Sequence, residues 1–173
     1  MIKYINETRA LWNNKKFSVI DLFYCITFIV ICNMVGYLSS LFQAESLEVW
    51  YPTLQKSILT PPSFVFVLVW GLLYTFMGIA TFLTFKAARK EAKTYVLFIL
   101  FAQLCFNLLW SIFFFGMRAP MLALIELCFL IIVTISMMRL YKKLSHIAYW
   151  LLYPYMIWLL FATYLNFFIV LKN

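Results

Sequence analysis

Five long stretches without a charged side chain, separated by short polar or basic connectors, make up most of this chain. They run over 22–44, 57–85, 94–117, 119–138 (interrupted only by Glu126) and 147–171. An α-helix rises about 1.5 Å per residue, so roughly 20 apolar residues cross the hydrocarbon of a bilayer. Each stretch is near or above that length. The pattern predicts an all-α integral membrane protein, a bundle of five transmembrane helices at about 18–42, 63–85, 95–116, 120–139 and 147–171. They form one domain, 17–173, after a basic N-terminal segment, 1–16. That segment suits either a short interfacial helix or a solvated tail. The first stretch is too long for a cleaved signal peptide and is expected to remain as a helix.

Inside these stretches the polar and aromatic residues recur at helical spacing. The second helix carries Trp70, Tyr74, Met77 and Thr81 on one face, the third Gln103, Asn107, Trp110 and Phe114, and the fifth Tyr155, Trp158, Ala162 and Asn166. The fourth offers Glu126, with Leu122, Leu130 and Val133 on its face. Crossing a bilayer requires none of these polar groups, and each is costly in hydrocarbon without a partner. Gln103 and Asn166 read first as hydrogen bonds between helices. Three aromatic-polar stripes together read as the wall of a cavity: tryptophan and tyrosine supply flat apolar surface, and Asn107 and the indole N–H groups supply directional contacts. Such walls suit a large, flat, mostly apolar molecule. Glu126 reads first as a polar link between helices, since a single carboxylate gives no proton relay.

Cys32, Gly36 and Ser40 follow at four-residue steps on the first helix, a spacing of small residues that lets helices approach closely within the bundle or between subunits. Asp21 precedes them at a helix N-terminus, where a carboxylate is favoured. The segment 43–63 is long for a connection in a bundle. Its Trp50 and Tyr51 serve as interfacial anchors or as part of a lid, and Pro61-Pro62 suits the first turn of the next helix. Pro154 removes one helical hydrogen bond from the fifth helix and predicts a kink that turns Tyr155 and Trp158.

Composition agrees: 66% of residues are hydrophobic and 12% charged, too apolar for a soluble domain of this size. Eleven of the fourteen basic residues lie on one side of the predicted membrane: Lys3, Arg9, Lys15 and Lys16; Lys86, Arg89, Lys90 and Lys93; Arg139, Lys142 and Lys143. Lys56, Arg118 and Lys172 lie on the other. The positive-inside rule places the N-terminus in the cytoplasm and the C-terminus outside, as in a bacterial plasma membrane. The net charge of +8 thus reflects topology and contact with the lipid bilayer, not nucleic acid. Four cysteines, all within apolar stretches and without a CxxC pair, read as packing residues. One histidine, His146, near the interface, makes no dedicated metal site and does not reach haem iron deep in a bundle.

Taken in order, WYPTLQK (50–56), Pro61-Pro62, W-x-x-L-Y-x-x-M-G (70–78), Q-L-x-x-N-x-x-W (103–110), FFG-x-R (114–118), AL-x-E (123–126) and L-x-PY-x-x-W-x-x-FAT-x-LN (152–166) resemble the TspO/MBR family. These are the tryptophan-rich sensory proteins, whose eukaryotic member is the translocator protein or peripheral-type benzodiazepine receptor. The resemblance covers about Gly36 to the C-terminus. It implies a five-helix bundle, commonly a homodimer, whose cavity is capped by the loop between the first two helices. It also implies a porphyrin-like ligand such as protoporphyrin IX or haem, with no cofactor required, and synthetic benzodiazepine-receptor ligands. Carried over by position, Trp70, Tyr74, Asn107, Trp110, Glu126, Trp158 and Ala162 become the expected ligand contacts, with Trp50 and Tyr155 beside them.

Two departures stand out. Where the family has Pro-Ser-Trp before the two prolines, this chain has Ser57-Ile58-Leu59. That tryptophan is implicated, with the one matching Trp158, in photochemical porphyrin breakdown, so an enzymatic reading is weakened, and Trp158 is the one catalytic candidate left. The C-terminal sterol motif lacks its tyrosine. A membrane receptor or sensor is the reading that needs only a pocket. A porphyrin transporter would need the repeats or broken helix pairs that this sequence lacks.

Overall fold

The computed structural model describes residues 17–173; the basic segment 1–16 lies outside them. The first helix, α1 (Val19–Leu41), starts at a reciprocal cap. The Asp21 N–H donates to Ser18 Oγ at 3.2 Å, and Asp21 Oδ2 accepts from the Ser18 N–H at 2.9 Å. The same carboxylate meets Lys86 Nζ at 2.8 Å, tying the start of the first span to the end of the second.

Among the described residues five helical spans are long and apolar enough to cross a membrane, as the uncharged stretches predict. After α1 the connection folds into α2 (Ala44–Val49) and a 3-10 turn, Tyr51–Thr53. Pro61-Pro62 leads directly into α3 (Ser63–Ala87). The third span is α4 (Lys90–Ser111), continued by a π-helical turn, Ile112–Gly116, and the fourth is α5 (Pro120–Leu144). The fifth divides into α6 (His146–Leu151) and α7 (Tyr153–Lys172).

Three boundaries differ from the sequence expectation for physical reasons. α4 starts at Lys90 rather than near 95, and α5 runs to Leu144 rather than 139. Charge marks where a helix leaves hydrocarbon, not where it ends; lysines are good helix formers and suit the last turn of α5. In the fifth span Pro154 does more than kink the helix. Leu152 lies between α6 and α7, its N–H bonded to the Tyr149 carbonyl at 3.2 Å, and Pro154 takes the first turn of α7, where a missing N–H costs nothing.

Around the bundle the spans follow the order first, second, fifth, fourth, third, with the third packing back on the first. The core between them contains Met77, Val96, Leu127, Leu130, Met137, Tyr155 and Leu159, all essentially inaccessible. The Tyr141 hydroxyl lies 2.8 Å from Thr81 Oγ1 within it. On α5 the inward face is Ala123, Glu126, Leu127, Leu130 and Thr134; Leu122, expected beside Glu126, faces outward.

The small residues of α1 work inside the bundle. Cys32 is fully buried, and a side chain on Gly36 would lie 2.8 Å from the Tyr74 ring; Ser40 is exposed and Ser39 is the buried serine. The backbones of the two helices come close at Gly78, where a Cβ would stand 2.6 Å from Ile29 Cα. One step further along, Asn33 Nδ2 donates to Thr75 Oγ1 at 3.2 Å. Beyond it a Cβ on Gly71 would meet nothing within 4 Å. The first two spans thus touch at Ile29–Gly78 and part towards Ser40 and Ser63.

Candidate ligand-binding cavity

In the space where these helices part lies a cavity of about 420 Å³, within the range of small-molecule sites. α1, the capping segment, α3, the α4 end and α7 wall it; α5 contributes nothing. Its aromatic surface is assembled by two stacks. Trp70 stacks on Tyr74 with centroids 5.6 Å apart, and Trp110 stacks on Phe114 at 5.2 Å. Each stack is an i, i+4 pair on one helix face, so helical spacing alone brings the rings together.

Hydrogen bonds behind the rings fix their positions. Asn107 Oδ1 accepts from the Tyr155 hydroxyl at 3.0 Å and the Tyr74 hydroxyl at 3.3 Å, while its Nδ2 donates to the Gln103 carbonyl at 2.9 Å. One buried amide thereby joins three spans. Trp110 Nε1 donates to Asn166 Oδ1 at 3.2 Å, and Asn166 Nδ2 donates to the Pro120 carbonyl at 2.8 Å. Asn166 is the interhelical link its spacing suggests, and it also lines the cavity. Ser39, buried in the lining, keeps a hydroxyl with no hydrogen-bond partner.

The segment over the cavity is bonded down. Ser46 Oγ donates to the Phe115 carbonyl at 2.6 Å, and Gln43 Nε2 donates to Ser111 Oγ at 3.0 Å. Arg118, in the left-handed region at φ 51°, pairs with Glu45 at 2.9 Å. At the far end the Gln55 N–H donates to Asn173 Oδ1 at 2.9 Å, and Ser57 Oγ lies 3.0 Å from the Tyr164 hydroxyl. Leu47 and Tyr51 reach the lining from above. Burial against Phe114 and Phe115 raises the Tyr51 phenol above its ordinary value near 10. The π-helical turn is what places Phe114 and Phe115 side by side beneath this cap, a common location for such turns at binding sites.

Of the residues singled out from the sequence, Trp70, Tyr74, Asn107, Trp110 and Ala162 line the cavity together. Trp50 and Tyr155 support the wall from behind: Trp50 packs edge-on against Phe114 and Tyr155 against Trp70. Trp158 stands outside the lining, its ring edge-on to Phe66 and its indole N–H buried without a partner. Glu126 is 4% exposed on a helix that does not reach the cavity, and neither carboxyl oxygen has a hydrogen-bond partner. The interhelical link expected of Glu126 is therefore not formed. Gln103 lies close to the Tyr155 hydroxyl, but its side-chain amide is outside hydrogen-bond geometry, so it too makes no such link.

Sequence reasoning missed the α1 wall. Asn33, a lone amide in an apolar run, was the available signal for it. Leu59, at the position of the family tryptophan, is more than half exposed and does not line the cavity.

Five helices long and apolar enough to cross a membrane, four of them walling an aromatic cavity, define an integral membrane protein. The TspO/MBR family model matches residues 28–171, and the chain belongs to that family. It is 36% identical over 143 residues to the tryptophan-rich protein TspO of Archaeoglobus fulgidus, covering 80% of this chain and 90% of that one. To the TspO of Chlorobaculum tepidum it is 37% identical over 144 residues, 83% and 91% of the two chains. To the human translocator protein it is 36% identical over 120 residues, 68% and 71%.

Proposed function

We propose that this protein is a membrane receptor or sensor for a porphyrin-type molecule, or a similarly flat hydrophobic one, held in the cavity under the α2 cap. The observation that carries the reading is the pair of aromatic stacks facing one space of about 420 Å³, with Asn107 between the walls. Flat aromatic surfaces gain most from a flat partner, through apolar burial and offset stacking. Asn107, Asn166 and Ser39 offer a few directional contacts that would set the orientation.

Binding without chemistry is the simplest form of the reading. Leu59 and Trp158 both stand outside the lining, so the two positions that the resemblance links to photochemical breakdown do not face the ligand space. The positive-inside count supports a plasma-membrane protein with a cytoplasmic N-terminus and the cap on the outer side.

The test is a titration with protoporphyrin IX in the dark, followed by tryptophan quenching of the purified protein in detergent. Asn107→Ala is expected to weaken saturable binding about tenfold, the equivalent of one hydrogen-bonded support. Trp158→Phe, outside the lining, is expected to bind as the unaltered protein does. Absence of saturation, or equal affinity with Asn107→Ala, would remove the porphyrin reading.

A further inference from the structure

We infer that the cavity selects a flat molecule with a carboxylate on one edge, and that this edge lies under the cap, held by the Ser39 and Ser111 hydroxyls with Lys56 as its counter-charge. The inference rests on the ligand-binding reading above and specifies the chemical class of the ligand and its orientation.

The hydrogen-bond donors of the lining locate the polar end. At the floor they are used within the protein. Asn33 Nδ2 donates to the Ile29 carbonyl at 2.9 Å and to Thr75 Oγ1 at 3.2 Å, and the Tyr74 hydroxyl donates to Asn107. Under the cap they are not. Of the buried side-chain polar atoms that lack a partner among the described residues, Ser39 Oγ is the one in the lining, on a residue 5% exposed. Ser111, also buried, accepts from Gln43 Nε2 at 3.0 Å, and no acceptor among the described residues takes its own hydrogen. Ser39 lies in the last turn of α1 and Ser111 ends α4, so both stand at the cap end of the cavity. A buried hydroxyl without a partner is unfavourable, and a ligand oxygen at this point would remove that cost.

Charge makes that oxygen a carboxylate's. No aspartate or glutamate lines the cavity. Lys56 Nζ stands 4.8 Å from the centroid of the Tyr51 ring, itself part of the lining, and donates to the Tyr51 carbonyl at 2.9 Å. This lysine is half-buried, yet no carboxylate among the described residues pairs with it: Asp21 pairs with Lys86 and Glu45 with Arg118. A partly buried cation without a counter-ion favours an anion nearby, and hydroxyl donors hold a carboxylate by charge-assisted hydrogen bonds. Protoporphyrin IX carries both propionates on one edge of its ring. With that edge under the cap, the opposite, hydrocarbon-substituted edge meets Trp70 and Tyr74.

The experiment uses the full chain in detergent, in the dark, with tryptophan quenching and two probes. These are protoporphyrin IX and etioporphyrin, a porphyrin whose substituents are all alkyl groups. Each variant is compared with the unaltered protein for the same probe, which cancels partition into the micelle. Ser39→Ala should lower protoporphyrin IX affinity about tenfold, the equivalent of one hydrogen bond to a charged group, and leave etioporphyrin affinity within about twofold. Its thermal unfolding should match the unaltered protein, because the hydroxyl it removes bonds nothing in the free chain. Lys56→Gln should lower protoporphyrin IX affinity about threefold at low salt, a loss that shrinks at 1 M salt and that Lys56→Arg avoids. If Ser39→Ala or Lys56→Gln lowers the affinity for both probes alike, or for neither, the inference is overturned while a binding cavity remains. Saturable binding of etioporphyrin alone would overturn it too. Failure of the unaltered protein to bind either probe would remove the cavity reading and this inference with it.

Discussion

Adding one methyl group at two glycines of the same helix should have opposite effects. At Gly78 a Cβ would stand 2.6 Å from Ile29 Cα, 2.7 Å from Ile29 N and 3.0 Å from the Phe28 carbonyl carbon. Carbon atoms rest about 3.5–4.0 Å apart, so α1 and α3 would have to separate by about 1 Å. Every opposing atom is backbone, and the Asn33–Thr75 and Asp21–Lys86 contacts hold the two helices on either side. No rotamer change can absorb the clash. Overpacking of this kind costs about 1–3 kcal/mol, and the upper end applies where backbone must move. Alanine returns about 0.5–1 kcal/mol of helix propensity, leaving a net loss of about 2 kcal/mol for Gly78→Ala. At Gly71 nothing lies within 4 Å, so only the propensity gain remains. Thermal unfolding in a mild detergent, followed by tryptophan fluorescence, compares them. For a chain of this length Gly78→Ala should lower Tm by about 4–8 °C, and Gly71→Ala should raise it by about 1–4 °C. Equal shifts, or a Gly78→Ala protein as stable as the parent, would refute the close approach and with it the account of where the helices part.

Other groups yield simpler tests. Glu126→Leu removes a buried carboxyl with no partner and should stabilise the bundle by about 1–3 kcal/mol while leaving ligand affinity unchanged; denaturant titration and the dark porphyrin titration check both halves. Glu45→Ala breaks a solvent-exposed ion pair, so it should cost less than about 1 kcal/mol, and any effect should vanish at 1 M salt. Tyr51 is raised above about 10 by burial under the cap. The docked segment therefore keeps a proton that the free segment gives up, and docking should weaken as pH rises above the ordinary phenol value near 10. Limited proteolysis of the cap across pH 8–11 should show increasing cleavage, and Tyr51→Phe should remove most of that dependence.

The spans and most of the wall were legible because their signal is local. An uncharged stretch reports a membrane crossing whatever it packs against, and i, i+4 aromatic pairs meet on one helix without help from the rest of the chain. Trp70, Tyr74, Asn107 and Trp110 were readable for that reason. What was not legible depends on how one helix is turned against another. Trp158 and Ala162 share a stripe, yet only Ala162 reaches the cavity, because the break at Leu152 and the packing against α3 set the rotation of α7. Glu126 became an expected ligand contact only through the resemblance, but α5 contributes nothing to the lining, a fact that follows from helix order and from nothing in its neighbouring residues.

The least visible feature decides the most. Gly78 lies outside every polar stripe, and a glycine in a membrane helix has several explanations. Only the position of Ile29 shows that it sets the distance between α1 and α3. Since those two helices meet at Gly78 and wall the cavity further along, the same contact helps set the width of the cavity between them. A change that spreads them at Gly78 should therefore alter ligand rates as well as stability, although no lining residue has been touched.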